Sequence, residues 1–210
     1  MAHKELFLHY TKNLTLISIT EGFLFMLMIK SKFFLIFIII FNCSAYAENS
    51  NSLKLNKLFN ELRQTEDIKN ANLIEKEIWK IWNKHPNNKK LTDKLEFGIE
   101  LMYAGSFNYA LNVFTNVIKS DPLWSEAWNK RATLLYFMKE YQKSLNDIEK
   151  VLNIEPRHFG ALSGRAQIYI KLEKYQKAID NLKKAKKIYP VISGNNTIKE
   201  LEKRVKGLKI

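Results

Sequence analysis

The sequence predicts an all-α solenoid of stacked helix pairs, and three observations predict it. Pro122, Pro156 and Pro190 fall 34 residues apart, the segments that contain them align without a gap, and their apolar residues recur at helical spacing. Composition agrees. Only 7 Gly and 4 Pro, with 26% charged residues, suit a helix-rich globular chain better than a sheet protein or a disordered tail.

The N-terminus is of another kind. Phe33 to Phe41 reads FFLIFIIIF, preceded by Lys30 and Lys32 and followed by Ala45-Tyr46-Ala47. A basic region, a short apolar core and an A-x-A site are the parts of a secretory leader, and the apolar run is shorter than the roughly 20 residues a membrane span needs. We therefore expect a signal peptide over residues 28–47, cleaved after Ala47, with a retained anchor as the alternative. Residues 1–27, which include Glu5 and Glu21, are expected to be an extension ahead of a true start at Met26 or Met28. Cleavage would leave a periplasmic or secreted protein without cysteine, because Cys43 lies inside the leader. Asn42 precedes that cysteine where a lipidation signal has a small residue, which argues against a lipid anchor.

Residues 48–90 have the size of one further helix pair. Ile74, Ile78, Ile81 and Trp82 share a helical face, but Pro86 ends the run two residues out of register. Because the end units of a solenoid must turn one face to water, this segment is expected to be a degenerate capping repeat.

The three regular repeats are 91–124, 125–158 and 159–192. Position 8 is small in each (Gly98, Ala132, Ala166), as is position 20 (Ala110, Ser144, Ala178), so the two helices of a unit can approach closely. Position 17 is aromatic (Phe107, Tyr141, Tyr175), and positions 24 and 27 are apolar. Proline at position 32 lacks an N–H and clashes with the preceding turn, which stops each second helix. Residues 193–210 should form a C-terminal capping helix, with Ile198, Leu201, Val205 and Leu208 at helical spacing.

The segment AWNKRATLLYFMKEYQKSLNDIEKVLNIEP resembles the tetratricopeptide repeat (TPR) family, with Trp128, Ala132, Tyr141, Ile148, Val151 and Pro156 on the family's positions. WNKRAT and EPRHFGALSG carry a narrower resemblance to exported alphaproteobacterial TPR proteins, which implies no activity. The family resemblance implies a concave groove lined by the first helix of each repeat at positions 2, 5, 9, 12 and 13. Those positions supply Leu95, Ile99, Met102 and Tyr103, then Glu126, Asn129, Thr133, Tyr136 and Phe137, then Ser163, Gln167, Ile170 and Lys171. Leu95 and Ile99 could instead be core. TPR domains that clamp a C-terminal carboxylate have Lys and Asn at positions 5 and 9 of the first repeat, where this chain has Leu95 and Ile99, so a clamp of that kind is not expected.

Convergent catalytic chemistry is hard to find. The chain has no G-x-G-x-x-G, G-K-[ST] or G-x-S-x-G motif. His85 and His158 each stand beside a repeat-ending proline, where an exposed turn is expected, and neither has a metal-ligand partner at suitable spacing. We expect no enzyme and no cofactor. Arg131 and Arg165 occupy position 7; either they bind an anion, or, as we prefer, they bridge to Asp147 and Asp180 on the second helix of the same repeat.

Residues 171–210 carry 12 Lys or Arg against four Asp or Glu. Such an excess can attract nucleic acid, anionic lipid or an acidic protein, or simply form a solvated face. Nucleic acid is disfavoured, since no groove-reading helix or stacking motif is present. The expectation is a scaffold that holds a protein or peptide in its groove in the cell envelope. The alternative is a basic protein that docks on anionic lipid or polysaccharide.

Overall fold

The computed structural model describes residues 51–207. The predicted extension and leader, with Cys43, lie outside these residues, as does Leu208. The described residues belong to one compact unit and contain helices and turns but no strand. In order they are α1 (51–64), α2 (Ile68–Trp82), α3 (Lys89–Tyr103), α4 (Phe107–Ser120), α5 (Ser125–Phe137), α6 (Tyr141–Ile154), α7 (Phe159–Lys171), α8 (Tyr175–Ile188) and α9 (Asn195–Gly207). None of these is long and apolar enough to cross a membrane.

Helices α3 to α8 are the three predicted pairs, and the 34-residue period extends to their backbone. The residues before the prolines, Asp121, Glu155 and Tyr189, are all extended (φ −146°, −129° and −132°), as the proline ring requires of its predecessor. At position 15 the chain turns through the left-handed region in every repeat, at Gly105, Lys139 and Glu173. There the amide of the next residue donates to the carbonyl five back (Ser106 to Leu101, Glu140 to Leu135, Lys174 to Tyr169), which closes each first helix. A β-carbon opposes that conformation in Lys139 and Glu173, and only Gly105 adopts it without strain.

Within a pair, positions 8 and 20 do what small residues permit. A Cβ on Gly98 would lie 2.5 Å from Phe114 Cε1, and Ser144 Oγ donates to the Ala132 carbonyl at 2.7 Å. The two arginines at position 7 behave differently. Arg131 Nε and Nη2 donate to Asp147 at 2.7 and 2.8 Å, the expected bridge. Arg165 does not reach Asp180; it donates to Asn181, and Asp180 accepts from Gln176. The partner column lies 16 residues on, so Asn181 rather than Asp180 is the counterpart of Asp147. Burial pushes the Arg165 guanidinium below its ordinary pKa.

At the C-terminal end α9 packs on α8 and buries Ile198 and Leu201, as a cap should. The N-terminal pair does not complete the stack in the way predicted. Phe59 of α1 and Ala71, Ile74, Ile78 and Trp82 of α2 are buried with Phe159 and Tyr189, which belong to the far end of the regular repeats. Helix α2 therefore runs along the turns between repeats. Trp124 Nε1 donates to the Trp82 carbonyl at 2.9 Å, the Trp79 ring meets Phe159, and Tyr189 Oη bonds to Asn72 and Glu75 at 3.1 Å. The apolar face predicted on α2 is correct, but it clamps three successive turns instead of covering the outer face of α3.

Candidate functional site

The first helices of repeats 2 and 3, α5 and α7, stand side by side over a cleft of about 220 Å³. Helix α5 contributes Asn129, Thr133, Tyr136 and Phe137 to its wall, and α7 contributes Gly160, Gly164 and Gln167. Ala132, Ser144, Ile148, Ala161 and Ile168 complete the lining. No lining residue is charged. The opening is left at Gly164, which presents no side chain; a Cβ there would meet nothing within 4 Å.

Aromatic edges and amides give the cleft its chemistry. Tyr136 and Phe137 meet edge to face at 6.0 Å, with Phe137 half exposed. Gln167 is exposed, and the Thr133 hydroxyl donates back to the Asn129 carbonyl at 2.9 Å. An apolar side chain could insert between α5 and α7 while the Gln167 amide holds the backbone beside it.

The end of the cleft at Gly160 is closed by the N-terminal pair. A Cβ on Gly160 would lie 2.7 Å from Trp79 Cη2. Beneath Trp79 and Trp82 lies a buried polar cluster. His158 is fully buried, its ring stacks on Trp82, its Nδ1 accepts from the Ala161 amide at 3.1 Å, and its Nε2 lies 3.0 Å from Glu126 Oε2. An accepting Nδ1 places the proton on Nε2, which donates to Glu126. Lys130 Nζ approaches the other carboxylate oxygen at 2.7 Å, and Asn129 Nδ2 donates to both at 3.2 Å. Burial alone raises the pKa of Glu126, but the His158 hydrogen bond and the Lys130 charge outweigh it and hold the carboxyl below its ordinary range.

Both histidines thus correct the expectation of exposed turns. His85 Nε2 pairs with Asp121 at 2.8 Å and its ring abuts Trp124. Among the described residues no three His, Cys, Asp or Glu side chains are grouped to hold a metal ion.

The thirteen groove positions separate into groups. Asn129, Thr133, Tyr136, Phe137 and Gln167 converge on the α5–α7 cleft. Ile170 and Lys171 line a broader opening between α7 and α9, with Tyr175, Thr197 and Arg204. Leu95 and Met102 are buried core and cannot face a partner, and Ile99 is packed against the same core. Glu126 lies beneath the N-terminal pair. Tyr103 is exposed and Ser163 half buried, and neither lines these clefts. Repeat 1 therefore gives the cleft nothing. Gly164 of FGALSG was the available sign of an opening at repeat 3.

This architecture defines a tetratricopeptide-repeat solenoid, and residues 125–158 and 160–191 match the family model of the tetratricopeptide repeat. A TPR repeat-containing protein of Rhizobium etli is 35% identical over 98 residues, which are 47% of this chain and 48% of that protein. The match thus spans about half the length of that curated relative. Among solved structures, the first TPR of Spaghetti (RPAP3), bound to the HSP90 peptide SRMEEVD, superposes with a TM-score of 0.53 at 17% identity, over 56% of this chain and 94% of that one. The Sgt2 TPR domain from Aspergillus fumigatus gives 0.54 at 13% identity, over 58% and 83%. At these identities the likeness is one of fold.

Proposed function

We propose that this protein is a non-catalytic scaffold of the cell envelope that holds a segment of another protein, with the α5–α7 cleft as its anchor pocket. The observation that carries this reading is the cleft itself: an uncharged recess with an aromatic edge and an amide at its mouth, on the face where the first helices of the repeats lie together. Such a recess suits one apolar or aromatic side chain of a bound segment, with polar groups fixing its direction. The peptide held by the Spaghetti TPR domain supports the use of this fold for peptide binding. The envelope location rests on the leader-like sequence over residues 28–47.

The test is capture of bound proteins from the cell by the wild type and by Tyr136→Ala and Phe137→Ser. Loss of the same captured proteins from both variants, with helical content retained, supports the reading. An unchanged set refutes it.

One observation favours a second reading. Lys183, Lys184 and Lys187 of α8 are exposed, and Lys199, Lys203 and Lys206 of α9 add to the same C-terminal region. Such a surface can dock on anionic lipid or polysaccharide. Its retention would collapse between low and physiological salt, because exposed charge is screened over about 10 Å at 0.1 M.

A further inference from the structure

Three polar groups in the lining of the α5–α7 cleft have their hydrogen bonds directed the same way. Asn129 Nδ2 lies 3.2 Å from both oxygens of the buried Glu126 carboxylate, which only accepts. The reverse orientation would set an amide oxygen against that carboxylate, so Asn129 Oδ1 is turned away from Glu126 and is the polar atom that Asn129 offers to the cleft. Among the described residues no buried side-chain oxygen or nitrogen lacks a partner, and none of the hydrogen bonds of Asn129 ends on Oδ1, so this atom is open to solvent. One turn on, the Thr133 hydroxyl gives its hydrogen to the Asn129 carbonyl, and Ser144 gives its own to the Ala132 carbonyl. Each hydroxyl is left with lone pairs only. Of the remaining polar side chains in the lining, the Tyr136 hydroxyl and the Gln167 amide can both donate and accept.

We infer that Glu126 sets the polarity of the cleft: by holding the Asn129 amide nitrogen it turns the amide oxygen outward, so that the pocket selects a tryptophan side chain, whose indole N–H donates to Asn129 Oδ1. The inference rests on the reading of this cleft as an anchor pocket and names what the pocket takes. A phenylalanine brings no donor and would leave the oxygen dry, at the cost of an unmade hydrogen bond. A tyrosine hydroxyl donates but also carries lone pairs, which would face other acceptors. The indole has one donor, no acceptor and a large apolar body, so nothing on it is left unpaired. A cation is disfavoured because the lining is uncharged and the Glu126 charge is met by Lys130 Nζ at 2.7 Å and His158 Nε2 at 3.0 Å. Glu126 touches no occupant in this arrangement and is a positioning residue.

The test titrates protein from cells that express the full chain with N-acetyltryptophanamide, its indole-N-methyl analogue and N-acetylphenylalaninamide, followed by ligand-observed NMR. The tryptophan probe should bind about tenfold more tightly than the N-methyl analogue, which lacks only the donor. The phenylalanine probe should be weaker as well. Phe137→Ser should weaken all three and keep their ratios, because it trims the apolar edge alone. Asn129→Leu should bring the tryptophan probe and its N-methyl analogue to equal affinity. Glu126→Gln should do the same with Asn129 intact: the His158 N–H holds the glutamine oxygen, the glutamine NH2 faces Asn129, and the Asn129 amide turns over to present its own NH2. A merely structural role for Glu126 would weaken every probe without moving the ratio. Asn129→Leu decides the matter if Glu126→Gln loses helical content. Equal binding of the three probes by the wild type, or a ratio that persists in either folded variant, overturns the inference and leaves the anchor pocket standing. Absence of binding by any probe in the millimolar range also overturns it, and the anchor pocket then stands or falls with the loss of protein capture in Tyr136→Ala.

Discussion

The imidazole of His158 lies flat on the indole of Trp82, with ring centroids 4.1 Å apart and planes 7° apart. His158 caps α7 while Trp82 ends α2, so this stack fastens the N-terminal pair to the start of repeat 3. Phe59, Trp79 and Phe159 pack around it. If the pair is a clamp, its loss should loosen the edge of the groove without dissolving the repeats.

Trp82→Ala should lower stability by about 3–5 kcal/mol, the usual cost of truncating a large buried aromatic. Hydrogen exchange gives the sharper measurement. Amides of α1 and α2 should lose protection while those of α5 to α8 keep most of theirs; equal loss throughout would contradict a separable clamp.

Gly160 and Gly164 should respond in opposite directions to alanine. At Gly160 the new methyl would collide with Trp79, costing about 1–3 kcal/mol of overpacking. At Gly164 it meets open space, and helix propensity should contribute about 1 kcal/mol of stability while the cleft narrows. Denaturant titration of both variants checks the contrast.

Arg131→Leu should leave Asp147 buried without its bidentate partner and lower stability by about 3–5 kcal/mol. Since Arg131 lies outside the α5–α7 cleft, capture of bound proteins should persist at temperatures where the variant is folded. Lost capture with an unchanged melting temperature would assign this arginine to binding.

Two buried groups give the clamp opposite pH limits. The folded pKa of Glu126 is depressed, so its contribution is present above the ordinary carboxylate value and is lost as pH falls through the lower folded value. Burial, aided by Glu75, pushes the Tyr189 phenol up to about 12 from 10.0. Its contribution is therefore full below 10.0 and is lost as pH rises towards about 12, because the unfolded chain ionises first. Glu126→Gln should flatten the acid limb of a stability–pH curve and Tyr189→Phe the alkaline limb.

The regular repeats were legible because their constraints are local and recur. Proline at position 32, small residues at 8 and 20, and an aromatic at 17 each act within one unit, and the structure places them as predicted. The clamp was not legible. Its contacts join Trp82 to His158 and Asn72 to Tyr189, pairs far apart in sequence that no periodicity connects. His158 read as a turn residue because its neighbour Pro156 marks a turn, and nothing local reveals that α2 covers it. Leu95 and Met102 were misplaced for a different reason. Positions 5 and 12 reach the cleft in repeat 2, as Asn129 and Tyr136, but in repeat 1 they hold aliphatic chains that join the core of α3, α4 and α5.

The most direct test of the groove is site-specific photocrosslinking in the cell, with a photoreactive residue at position 167 and a control at position 149 on the exposed side of α6. The proposed function predicts discrete crosslinked partners from position 167 that vanish when Tyr136→Ala is added, and none in common from position 149. The same partners from both positions, or crosslinks at 167 that survive Tyr136→Ala, would contradict it.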